Sequence, residues 1–218
     1  METRLDQELA AARPLSTAAQ ARILAAMRSE VASAPRAGRW KLEIAGVIGS
    51  VIFLTAAIGT ALLASGSAEL PVIATRVGLF AMCGLLCAFA AAAAVAPGAR
   101  RAQLFAIIAF VLAAVTLVVV RREVGAGSTP EWACTVTHLG VGVIPLAVGL
   151  FALRRANLRL LAGVALGVSA GTTGAMVGEL ACGRDSTHVL LFHVTAWAAV
   201  VAVGALLSRV VRPRSHAP

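Results

Sequence analysis

Long, nearly uninterrupted runs of apolar residues divide this chain, and its polar and charged positions collect between them. A helix needs about 20 predominantly apolar residues to cross a hydrocarbon core of about 30 Å. Six stretches meet that length, near 43–65, 72–96, 103–120, 134–153, 158–181 and 187–208. The pattern predicts an all-α fold, a six-helix transmembrane bundle. Between the third and fourth stretches lies the longest connection, Arg121 to Ala133, where Gly125, Gly127 and Pro130 break any continuous helix. The fifth stretch carries Gly163, Gly167 and Gly171 at four-residue spacing, then Gly174 and Gly178. Small residues at that spacing let neighbouring backbones approach, so this helix is expected at the centre of the bundle. Pro145 in the fourth stretch removes one backbone hydrogen bond and is expected to kink that helix.

The first 40 residues follow a different pattern. They hold two short helical segments divided at Pro14. Thr17 followed by Gln20 reads as a capping box, after which Ile23, Leu24, Met27 and Val31 fall on one face at helical spacing. A single helix of this length is marginal in water, so its apolar face needs a partner. Two are open: the groove of another protein, or the membrane surface, where Arg22, Arg28, Arg36 and Arg39 would meet anionic headgroups. Leu5 and Leu9 in the preceding segment offer a second apolar patch. The expected organisation is therefore a short helical head over residues 1–40, a membrane domain over 41–210 and a tail over 211–218.

Composition agrees: 59% of residues are hydrophobic and only 13% charged. The formal charge of +9 would suit nucleic acid, but its distribution has a simpler cause. Fifteen of the nineteen Arg and Lys residues fall on the side of the two termini, while Arg76, Arg121, Arg122 and Arg184 fall on or near the other. Basic residues favour cytoplasmic loops, which predicts cytoplasmic termini, a multi-pass protein of the bacterial inner membrane and no direct contact with nucleic acid. No cleavable signal peptide is expected, because the first 40 residues have no apolar core. Arg76, about one turn from the outer end of its span, is expected to snorkel to the interface.

The four cysteines divide into two pairs. Cys83 and Cys87 lie mid-span among Ala, Leu and Phe and read as packing. Cys134 opens the fourth span and Cys182 closes the fifth, so both belong at the outer face, as a disulfide or as part of a metal site. His138, four residues after Cys134, and His188, just past Cys182, complete a candidate soft-metal set with them. His193 is five residues from His188, about 140° around an α-helix. The two are therefore not expected on one face, and His193 reads as a histidine hydrogen-bonded inside the bundle. Glu179, an intramembrane carboxylate one turn before Cys182, calls for a partner.

Gly167-Val168-Ser169-Ala170-Gly171 matches GxSxG and raises a rhomboid-like intramembrane protease as an alternative. A hydrolase elbow needs a strand-to-helix turn, whereas Ser169 lies mid-helix within the glycine stripe. A small transporter using His138, Glu179 and His193 is the other alternative, although a permease has no need of a polar head.

Cys134, the later Pro145, the Leu153-Arg154-Arg155 end of the fourth span, and the stretch from Gly171 through Cys182, His188, Phe192-His193 and Trp197 together resemble the NrsF family. These are the DUF1109-type negative regulators of extracytoplasmic-function sigma factors. Myxobacterial light-response anti-sigma proteins share the same plan. The resemblance implies six spans anchoring a cytosolic head that binds a sigma factor, no catalytic residue and no cofactor, with the paired outer cysteines implicated in sensing. Where the family has a Cys-Pro step and a Pro-Pro pair, this chain has Cys182-Gly183 and Pro145 alone.

Overall fold

A computed structural model describes residues 16–33, 39–68, 70–96, 99–120, 130–153 and 160–210. The chain divides into two compact units, Met1–Arg39 and Trp40–Pro218. In the first, helix α1 spans Thr17–Ser33. Its cap is Ser16 and not Thr17: the Ser16 Oγ accepts from the backbone N–H of Ala19 at 3.2 Å, and the Ser16 carbonyl accepts from Gln20 at 2.9 Å. The expected box thus starts one residue too late, because the hydroxyl that reaches the third amide of the helix belongs to Ser16. Along α1, Ile23, Leu24 and Met27 are 46%, 53% and 56% exposed and form an exposed apolar row. Leu5 and Leu9, and the side chain of Val31, lie outside the described residues.

The described residues of the second unit form helices joined by short connections, with no strand among them. Its helices are α2 (Arg39–Ala64), the short α3 (Leu70–Thr75), α4 (Val77–Val95), α5 (Arg100–Val120), α6 (Glu131–Leu153) and α7 (Leu160–Ala181). The last, α8, runs over Ser186–Val210. All but α3 are long and apolar enough to cross a membrane, giving six spans. Five match the apolar runs to within a few residues. The second does not, because the run that starts near 72 is split at Arg76, whose backbone (φ −106°, ψ 5°) separates α3 from α4. In the long connection, residues 121–129 lie outside the described residues, and α6 begins directly after Pro130. Pro145 is accommodated inside α6, which continues through it.

The end of α2 shows how tightly local chemistry sets a boundary. The N–H of Ser67 reaches back to the Leu62 carbonyl at 2.9 Å and that of Gly66 to Leu63 at 3.1 Å, with Gly66 at φ +70°. Only a residue without a Cβ takes that conformation cheaply, and it ends the helix.

Helix α7 is the core of the bundle, packed against α4, α5, α6 and α8. Its glycines are the reason. A Cβ on Gly163 would stand 2.5 Å from the Gly204 carbonyl oxygen of α8, and one on Gly167 would stand 2.5 Å from the Val201 Cα. Backbone therefore meets backbone along α7 and α8. Higher along the same stripe, Gly171 faces the Trp197 indole, Gly174 the His138 ring and Gly178 the His193 ring. Trp197 is fully buried, donates its indole N–H to the Val168 carbonyl at 3.0 Å and meets Phe110 edge to face at 4.9 Å. On the α4 side, Cys83 and Cys87 are buried as expected. Gln103 of α5 donates from Nε2 to the Ala93 carbonyl of α4 at 3.0 Å, fastening that helical hairpin.

A methyl group added to Gly167 should force the α7 and α8 backbones apart. We expect Gly167→Ala to cost about 1–3 kcal/mol, the range for overpacking, seen as a lower thermal midpoint of the detergent-solubilised protein. Gly140→Ala is the control, since nothing lies within 4 Å of the position its Cβ would take, and it should leave the midpoint nearly unchanged.

Candidate functional site

Several buried polar residues of the bundle gather at the end where α6 begins, α7 ends and α8 begins. Glu131 stands in the first turn of α6 and accepts from Arg184 at 3.0 Å, tying that helix to the short α7–α8 connection. Within the connection, Asp185 accepts from the backbone N–H of His188 through Oδ1 at 2.8 Å. That cap starts α8 and orients His188.

Helix α8 is not α-helical throughout. After the turn Ser186–His188, residues Val189–Val194 form a π-helical segment before the α-helix Thr195–Val210. A π turn closes through hydrogen bonds between residues five apart, which brings such residues closer to one face than an α-helix does. His188 and His193 are five apart, and their rings meet at 5.4 Å. This overturns the expectation that the two cannot share a face, which assumed α-helical rotation. Hydroxyl groups support the altered backbone: Thr135 of α6 donates to the Phe192 carbonyl at 3.1 Å, and Thr195 donates to the Leu191 carbonyl. His188 also stacks on Phe192, with ring centroids 4.8 Å apart.

The result is a four-residue cluster. One ligand atom from each of Cys134, Cys182, His188 and His193 lies within 4.8 Å of the others. Three of the four expected soft-metal residues are present, but His193 takes the place assigned to His138. His138 is buried one turn further along α6, its ring against Gly174 and 6.0 Å from that of His193. No disulfide joins Cys134 to Cys182 in the structure. A cavity of about 230 Å³ adjoins the cluster, lined by Cys134, Thr137, His138, Gly174, Cys182 and His193 among others.

Glu179 has the partner that its position demanded. Arg76 Nη1 lies 3.5 Å from Glu179 Oε2, donates to the Glu179 carbonyl and reaches the Cys182 carbonyl at 3.3 Å. Arg76 therefore does not snorkel: it is only 8% exposed. Turning outward would leave an intramembrane carboxylate and the last carbonyls of α7 unsatisfied, so the side chain turns inward to meet all three. Through the Cys182 carbonyl it also fixes the backbone that carries one member of the cluster.

Ser169 stands mid-way along α7, fully buried. Its hydroxyl donates to the Cys87 carbonyl at 3.1 Å and lies 3.4 Å from the Cys87 sulfur. It fastens α7 to α4, a packing role for the GxSxG serine.

With this geometry in place, comparison with known proteins is informative. The chain is 38% identical over 215 residues to the carotenogenesis protein CarR of Myxococcus xanthus, covering 98% of this chain and 97% of CarR. It belongs to the CarR family. The match takes in the polar head as well as the spans, so the kinship goes beyond shared membrane hydrophobicity. As a CarR-family protein with six spanning helices it is a multi-pass membrane protein. No family model matches the chain, and no solved structure does.

The Arg76–Glu179 pair makes a direct prediction. Removing one partner of a buried ion pair costs about 3–5 kcal/mol, because the other charge is left uncompensated. Arg76→Met or Glu179→Leu alone should therefore lower the thermal midpoint more than the double variant does. A double-mutant cycle in detergent measures the difference, and additive losses would show that the two charges do not interact.

Proposed function

We propose that this chain is a membrane-bound anti-sigma factor that holds an extracytoplasmic-function sigma factor inactive through its N-terminal head. The observation that carries the reading is the kinship with CarR over head and spans together. Myxococcus belongs to the bacterial group whose light-response anti-sigma proteins share this chain's plan, and the NrsF-type regulators are proposed as further relatives of that plan. The exposed Ile23, Leu24 and Met27 row of α1 supplies the apolar face that a helix-in-groove contact requires. By helical spacing in the sequence Val31 belongs to the same proposed face, and Leu5 and Leu9 are the second proposed contact. Sequestration needs only a face that covers the sigma factor's polymerase-binding surface, so the protein acts as a regulator and not as an enzyme.

The proposed topology has both termini in the cytoplasm of a bacterium and the bundle in the inner membrane, and the division of fifteen basic residues against four supports it. Alkaline phosphatase fused after Pro218 should be inactive and a fluorescent protein at the same place bright. The reverse result would remove the head from its cytosolic partner. For binding itself, the double variant Ile23→Asp and Met27→Asp would place two charges in an apolar groove, at a cost of several kcal/mol. A promoter dependent on the sigma factor should then be active without stimulus while the protein still accumulates in the membrane. Normal repression by that variant would move the contact to the Leu5 and Leu9 segment.

A further inference from the structure

The Cys134, Cys182, His188 and His193 cluster has the donor set and compactness of a metal site. Two cysteines and two histidines in one compact group suit zinc above the other biological divalent ions. In such a site the sulfurs stand about 2.3 Å and the imidazole nitrogens about 2.0 Å from the ion, with donors within about 4 Å of one another. Donor atoms already within 4.8 Å reach that arrangement by small side-chain rotations. We propose that this chain binds one Zn2+ through Cys134, Cys182, His188 and His193, clipping together the start of α6, the end of α7 and the start of α8.

Three features of the structure support the assignment. The first is charge. Loading releases the two thiol protons, and one Zn2+ with two thiolates and two neutral imidazoles has no net charge. Such a group can be held among buried residues at the end of an apolar bundle without the cost of an isolated ion. The second is the backbone. A π-helical segment at Val189–Val194 brings His188 and His193 to one side, whereas an unbroken α-helix would have directed them apart. Departures of this kind are costly and concentrate at functional sites. The third is outer support, which metal sites use to orient their ligands. Arg76 holds the Cys182 carbonyl, and Asp185 caps the helix at His188.

All four positions come from the protein, so no coordination place stays open for a substrate, and the ion has a structural or regulatory role and not a catalytic one. The adjoining cavity and the half-buried Cys134 give the ion a route in. The assignment does not depend on what the head binds, and it can fail while the anti-sigma reading stands.

The test uses the full-length protein purified in mild detergent under reducing conditions. Elemental analysis should find one zinc per chain, removed by a strong chelator together with a fall in the thermal midpoint that added Zn2+ reverses. Loading the stripped protein with Co2+ alone should produce the visible ligand-field bands of a tetrahedral ion and near-ultraviolet thiolate charge transfer. Cys134→Ser, Cys182→Ser, His188→Ala and His193→Ala should each weaken metal binding by roughly tenfold or more. Cys83→Ala, outside the cluster, should leave both spectrum and stoichiometry unchanged. Because the stripped and reloaded comparison is made on the unmodified chain, a poorly folding variant does not obscure the answer. The assignment is overturned if the reduced protein takes up no stoichiometric zinc or gives no tetrahedral Co2+ spectrum. It is likewise overturned if the spectrum survives Cys134→Ser together with His193→Ala, or if Cys134 and Cys182 remain a disulfide that no reductant opens.

Discussion

Inside a membrane, lipid tails are as apolar as Leu, and helices gain little from burying apolar side chains against one another. Close approach has to do that work, and here it rests on the glycine stripe of α7. At Gly163 and Gly167 the stripe admits the backbone of α8 itself, and at Gly171, Gly174 and Gly178 it admits the rings of Trp197, His138 and His193. The same five missing side chains thus close the bundle at one end and seat polar aromatic groups at the other. A bulkier residue at Gly178 would displace His193 from the position in which it meets Cys134, Cys182 and His188.

The second constraint is that polar groups in the bundle must satisfy one another. Arg76, the break between α3 and α4, the Glu179 carboxylate and the terminal carbonyls of α7 form one connected solution. Ser169 with Cys87 and Gln103 with the Ala93 carbonyl are smaller instances. In α8, the irregular backbone after His188 is supported by threonine hydroxyls from α6 and from α8 itself. Apart from the Thr195 contact, which lies within α8, these contacts cross between helices and tie several spans together.

Much of this was readable from the order of residues. Apolar runs locate the spans because length and hydropathy are local properties, and the glycine spacing identifies α7 as central because it acts through a simple geometric rule. Cys134 and Cys182 could be paired because they stand at the two ends of consecutive spans. Three features were not readable, each for a physical reason. The inward turn of Arg76 depends on Glu179, more than a hundred residues away. The π-helical segment leaves no signature in Val189–Val194, so residue order alone puts His193 in the interior and His138 in the cluster. The cap of α1 differs from expectation by one residue, since Ser16 and Thr17 both carry the required hydroxyl and backbone geometry alone selects between them.

On the proposed reading the bundle, held by the α7 stripe and its polar cross-links, anchors a short head that carries an exposed apolar row. The most direct test of the proposed sequestration at the membrane is fractionation of cells expressing a tagged candidate extracytoplasmic-function sigma factor from the same organism, with and without the chain. The sigma factor should sediment with the membrane fraction and co-purify with the solubilised protein when the chain is present, and should be found in the cytosol when it is absent. An unchanged distribution between membrane and cytosol would contradict the account.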